Sequence, residues 1–103
     1  MSKVYLIGIP EESRYKIGYT NRSIDNRVNE IQTGNAKKIE VLEIFETEHH
    51  IKVESWMHKI HRQKRMEGEW FELTDEDVMN FKQDCQKGHD MFKMLIDSGN
   101  PFI

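Results

Sequence analysis

The apolar residues fall in short blocks whose spacing changes along the chain, and the spacing names the element each block forms. Val4, Tyr5, Leu6, Ile7 and Ile9 make a first run of strand formers, and Tyr15, Ile17 and Tyr19 alternate along a second. The stretch Pro10-Glu11-Glu12-Ser13 separates them, so residues 3–20 read as a hairpin. Gly8 and Gly18 interrupt these runs, where a missing side chain lets another backbone or a ligand come close. Ser23 is an N-cap for a helix over 24–33, in which Ile24, Val28 and Ile31 recur at helical spacing. Gly34 and Asn35 then predict a left-handed helix end.

Ile39, Val41, Leu42, Ile44 and Phe45 alternate imperfectly with Glu40, Glu43 and Glu46 and predict a third strand. Two strands alone are marginal in water, so this one belongs beside the hairpin. A second helix is expected over 48–65, with Val53, Met57 and Ile60 as its buried stripe and Trp56 beside it. Glu54, His58, His61 and Arg65 form a polar row along the same helix. Residues 66–73 return in extended form, with Trp70 or Phe71 closing the core. Thr74 caps a last helix whose first turn holds Asp75, Glu76 and Asp77. Val78, Phe81, Cys85, Phe92 and Leu95 give that helix an apolar row, and Gly88-His89 is where it is expected to kink or divide. The sum is an α/β fold, a small central, mostly antiparallel three-stranded sheet flanked by helices, with an additional C-terminal helical segment.

At 103 residues the chain suits one domain with a modest core. Charged residues make up 32% and hydrophobic ones 37%, which excludes a disordered polar chain, and no apolar run approaches the ~20 residues of a membrane span. The N-terminal stretch lacks the apolar core of a secretion signal, so an intracellular, cytoplasmic setting is expected. Cys85 is the single cysteine, which leaves neither an internal disulfide nor a cysteine-based zinc cluster. The net charge of −3 hides an uneven distribution. Residues 1–38 hold seven basic groups against four acids, 52–65 hold five against Glu54 alone, and 67–103 hold nine acids against three lysines. The first two regions suit a phosphate backbone while the acidic tail faces away; the alternative is that they are solvated helix faces.

Lys3-Val4-Tyr5 and Lys16-Ile17-Gly18 stand with ten residues between Tyr5 and Lys16. Arg27, Gln32-Thr33-Gly34-Asn35, Glu54 with His58, and Glu69-Trp70-Phe71 follow in order. This ordered set, over residues 3–73, resembles the GIY-YIG nuclease superfamily, in the branch found in phage and viral proteins that reads K-I-G at the second motif. The resemblance implies a GIY-YIG-like core over 3–73 within a single domain of 1–103, with 74–103 as a helical extension. It also implies a divalent-metal-dependent DNA endonuclease, working in the host-cell interior if the source is viral. Carried onto matching positions, Tyr5 helps activate the water, Arg27 holds the phosphate, and Glu54 binds one Mg²⁺ or Mn²⁺, ions that often take only one or two carboxylates plus phosphate oxygens.

Lys16 departs from the better-known Y-I-G form; its ammonium is expected to bind phosphate or tune Tyr5. Ile31 stands where the family often has a histidine, and the family's late asparagine has no match here. His58, one turn after Glu54, is expected to orient that carboxylate or relay a proton, which completes a catalytic set of Tyr5, Lys16, Arg27, Glu54 and His58. Nucleic-acid contacts are expected from Lys16, Tyr19, Arg22, Arg27, Arg62 and Arg65, and structural roles from Gly18 and Gly34. Three alternatives stay open: a catalytically weak or inactive nucleic-acid-binding or regulatory module of the same fold, a zinc site from Glu54, His58 and His61, and a protein-interaction domain using the C-terminal helix. A nuclease domain this short implies either weak specificity or a separate targeting protein, and the C-terminal helix is a candidate surface for a partner or a homodimer.

Overall fold

The structure is a computed structural model and describes residues 2–99. Strands β1 (Lys3–Ile9) and β2 (Arg14–Thr20) pair antiparallel from Lys3↔Thr20 to Ile9↔Arg14. The turn between them is a single 3₁₀ turn, Pro10–Glu12, closed by Ser13 in the left-handed region at φ 53°. Helix α1 (Ile24–Gln32) follows, then β3 (Glu40–Glu46), which pairs antiparallel with the other edge of β1. Helix α2 (His50–Ile60) leads through a 3₁₀ turn at Arg62–Lys64 to β4 (Trp70–Glu72), and α3 (Asp75–Met79) and α4 (Phe81–Asp97) complete the order.

The expected α/β architecture is present, with a fourth strand: β4 pairs antiparallel with β2 and gives the order β3-β1-β2-β4. With neighbours on both edges, β1 is buried from Val4 to Ile9, which is why it reads as a continuous apolar run. The imperfect alternation in β3 also has a cause. Its register to β1 slips between Leu6 and Ile7, so that Leu6 faces Glu43 and Ile7 faces Val41, leaving Leu42 as a bulge.

The two faces of the sheet carry separate cores. On one, Val4, Leu6, Tyr15 and Ile17 meet Val53 and Met57 of α2, Phe71 of β4, and Phe81 and Cys85 of α4. On the other, Tyr5, Ile7, Ile9 and Ile39 meet Ile24, Val28 and Ile31 of α1. The two aromatics of β4 divide accordingly, Phe71 fully buried on the first face and Trp70 packed on the second. Full burial of a side chain such as Val53 or Met57 stabilises by roughly 1.5–3 kcal/mol, so the two α2 residues do much to fix that helix on the sheet.

Several local expectations are corrected. Helix α2 ends at Ile60, not at residue 65, and Ile60 is exposed. The buried stripe continues from Val53 and Met57 to His61, again four residues on, so His61 leaves the polar row and joins the packing under α3 and α4. Gly34 and Asn35 do not take the left-handed conformation. Instead the Gln32 side chain ties the end of α1, donating to the carbonyls of Asn35 and Lys37 and accepting from the Ile39 amide. Gly88 does not break α4, which is continuous; a Cβ there would stand 2.4 Å from Trp56 Cδ1, so the glycine admits the indole instead. The break lies at Asn80, between the capping box of α3, formed by Thr74 and Asp77, and α4. The last residues of the expected extension, 100–103, lie outside the described residues.

Candidate active site

The local geometry begins with a short β4. Its pairing with β2 stops at Lys16↔Trp70, so β2 beyond Lys16 has no strand on that edge. Here residues from both faces of the sheet come round to one cleft of about 320 Å³, lined by Tyr19, Thr20, Asn21, Arg22, Arg27, Glu54 and Glu69. The first four come from the end of β2 and the turn after it, Arg27 from α1 on one face, Glu54 from α2 on the other, and Glu69 from the turn before β4.

Tyr5 lies behind this cleft, fully buried in the centre of the sheet. Its register partner is Gly18, and a Cβ on Gly18 would stand 2.3 Å from the Tyr5 hydroxyl oxygen. The glycine therefore makes room for the phenol to cross β2. The Arg27 Nε–H donates to Tyr5 Oη at 3.0 Å. Burial pushes the Tyr5 pKa above its ordinary value of 10.0, against the lowering effect of Arg27, so the phenol keeps its proton at neutral pH. Glu30 holds the other side of Arg27 through an Nη1···Oε2 contact of 3.0 Å and also pairs with Arg22 at 2.7 Å. One exposed carboxylate thus sets the spacing of both cleft arginines.

Glu54 differs from the other cleft carboxylate. Burial raises its pKa, an effect that His58, Lys16 and Arg27 oppose and Glu69 reinforces. Among the described residues no hydrogen bond or ion pair engages its carboxylate. A half-buried anionic oxygen donor without a partner, facing an open cleft, is a fit for a hard divalent cation. Glu69, by contrast, is engaged: its Oε2 lies 3.2 Å from Lys16 Nζ.

His58 Nε2 lies 2.7 Å from the Ile17 carbonyl oxygen, which can only accept, so Nε2 carries the proton and donates. Its ring packs edge-on against Phe71 at 5.0 Å. His58 thereby ties α2 to the open edge of β2 and does not line the cleft. Tyr19 does line it and packs against His50. Arg62 and Arg65 are not among its lining residues: Arg62 opens the 3₁₀ turn after α2, and Arg65 donates to the Gly68 carbonyl within the turn before β4. Among the described residues no three His, Cys, Asp or Glu side chains converge as metal ligands, so the row Glu54, His58, His61 does not gather into a zinc site. Cys85 is buried and its thiol is pushed up to about 12 by burial, as suits an inert core cysteine.

The model of the T5orf172 domain family matches residues 3–86. The chain belongs to this family. The T5orf172 domain is a GIY-YIG-like, nuclease-associated domain found in phage proteins, which makes the chain nuclease-related at the level of the family and DNA the partner class that the family suggests. Comparison with curated proteins and with solved structures gave no match. The T5orf172 match extends past β4 through α3 and into α4, the segment that supplies Phe81 and Cys85 to the core. No helix among the described residues is long and apolar enough to cross a membrane. Within this T5orf172 domain the cleft residues given no role by the sequence are Thr20, Asn21 and Glu69, and Glu30, which braces the two cleft arginines, is a fourth residue it did not single out. Glu69 had a signal in the Glu69-Trp70-Phe71 motif, whereas Thr20 and Asn21 reach the cleft only because the edge of β2 beyond Lys16 stays open.

Proposed function

We propose that this chain is a divalent-metal-dependent DNA endonuclease of the K-I-G branch, with Mg²⁺ or Mn²⁺ as its cofactor. The observation that supports this best is the convergence of Arg22 and Arg27, two fixed cations, with the unpartnered Glu54 carboxylate in one cleft. Glu54 holds the cation, which when bound supplies Lewis-acid charge to a phosphate oxygen. Arg27 grips the phosphate, with a planar fork suited to it, and Arg22 and Tyr19 extend the contact along the strand. Drawing Arg27 onto the phosphate uncovers Tyr5 Oη, which then orients the attacking water. Lys16 adds positive charge near Glu54. His58 is a positioning residue, holding α2, and so Glu54, against β2.

Hydrolysis forms a bond from the water oxygen to phosphorus and breaks one phosphodiester P–O bond, and the proton lost by water leaves the site while the departing oxygen takes one up. The test is nicking of supercoiled plasmid at low salt with Mg²⁺, Mn²⁺ or EDTA, by wild type and Glu54→Ala. Nicking that requires both the ion and Glu54 supports the reading, and equal activity in Glu54→Ala defeats the assignment of the metal.

A second reading draws on the buried, protonated Tyr5. A domain that keeps this phenol sealed behind Arg27 binds DNA without cutting it. It predicts salt-sensitive binding with no nicking under any of these conditions.

A further inference from the structure

Lys16 is held by two consecutive residues of the β4 segment. Its ammonium lies 3.2 Å from the Glu69 carboxylate and 5.8 Å from the centre of the Trp70 ring, whose other visitor is the Arg14 guanidinium at 4.4 Å. Lys16 and Trp70 are register partners across the β2–β4 pair, so the contact is built into the strand pairing. Glu69 is equally fixed. Its carbonyl accepts from the Ile17 amide, and the turn around it is closed by Met66 N–H to the Trp70 carbonyl and Trp70 N–H to the Glu67 carbonyl, with Gly68 at φ 60°. The result is a carboxylate standing in the cleft against a lysine that is only 15% exposed.

We propose that Glu69 is an internal stand-in for phosphate: it occupies Lys16 in the free protein and is the group a nucleic-acid phosphate must displace to reach that ammonium. This rests on reading the cleft as a phosphate site and assigns Glu69 as a positioning residue acting through Lys16. Carboxylate and phosphate oxygens compete for the same cationic donors because both recognise them by charge and hydrogen bonding. A partly exposed pair of this kind is weak enough to be exchanged, whereas a deeply buried pair is not. The consequence is a trade. Glu69 keeps Lys16 extended and ready over Trp70, and in doing so lowers the affinity of the metal-free protein for any phosphodiester.

The experiment measures binding of a short labelled DNA duplex in EDTA at low salt by wild type, Glu69→Gln, Lys16→Met and the double variant, with thermal unfolding as a check on folding. Glu69→Gln is expected to bind about two- to fivefold more tightly than wild type, the range set by exposed ion pairs. In the Lys16→Met background the same change is expected to gain much less, because no ammonium remains to be released. Lys16→Met alone is expected to lower the salt slope of binding by about one. A merely structural Glu69 would give loss, never gain. An unchanged or weaker Glu69→Gln overturns the proposal, and so does an equal gain without Lys16, which would mark a general effect of net charge. Absence of binding by all four proteins also overturns it, since nothing would then compete. The catalytic reading fails separately, through absent nicking, and the Glu69 gain can hold or fail independently of that.

Discussion

The Tyr5 phenol crosses β2 directly over Gly18, so close that a single methyl group on the glycine would stand 2.3 Å from the hydroxyl oxygen and 2.6 Å from Cζ. The K-I-G glycine and the first-strand tyrosine are therefore one structural unit, and the Tyr5–Arg27 hydrogen bond depends on both.

Gly18→Ala is expected to destabilise the protein by about 1–3 kcal/mol, the usual cost of forcing extra volume into a packed site. The left-handed region plays no part, since Gly18 is not among the positive-φ residues. Urea unfolding gives the magnitude. The same substitution in a Tyr5→Leu background should cost clearly less, and an undiminished cost would show that the clash lies elsewhere.

Tyr5 also carries a pH signature. Its folded pKa is raised, chiefly by burial, above the ordinary 10.0. The unfolded chain therefore loses this proton first, so the stability Tyr5 contributes is intact below about pH 10 and falls as pH rises through the folded value. Tyr15 shifts in the same direction, also by burial. Measured from pH 8 upward, unfolding free energy should fall less steeply in Tyr5→Phe than in wild type. Identical slopes would mean that Tyr5 does not titrate as a buried phenol.

Glu54 should couple stability to divalent ions. Its raised pKa means that ionisation disfavours the folded state at neutral pH, so stability from the neutral carboxyl is present below the ordinary 4.5 and lost as pH rises through the folded value. Glu54→Gln is therefore expected to unfold at a higher temperature than wild type in EDTA at pH 7. Mg²⁺ at about 100 times its dissociation constant should stabilise wild type by ~2.7 kcal/mol and leave Glu54→Gln unmoved. A thermal-shift series settles both, and an equal Mg²⁺ response in the variant would place the cation elsewhere.

Gly88→Ala sets two effects against each other. Alanine improves helix propensity by about 1 kcal/mol, but its Cβ would meet Trp56 at 2.4 Å. Trp56 has little freedom to give way, because its Nε1–H donates to the Asp84 carbonyl at 3.1 Å. Net destabilisation of about 1–3 kcal/mol is expected, with a changed tryptophan fluorescence. A stabilised variant would show that the α2–α4 contact yields easily.

Periodicity and caps, which are local, determined much of this protein by themselves. The hairpin at 3–20, the Ser23 and Thr74 caps, the α1 stripe and the buried run of β1 are all legible because each depends on neighbours a few residues away. The ordered motifs likewise pointed to Tyr5, Arg27 and Glu54 before any contact was known. What lay beyond reach depended on residues far apart in sequence meeting in space. Gly88 reads as a helix breaker until Trp56, from α2, is seen to need its missing side chain. His61 reads as part of a polar row until the packing of α3 and α4 turns that position inward. The open edge of β2 exists only because β4 is three residues long, and that edge decides which side chains share the cleft. The Lys16–Glu69 pair is the clearest case: both residues stand in the ordered motifs, but that they pair is decided only by the register of one short strand.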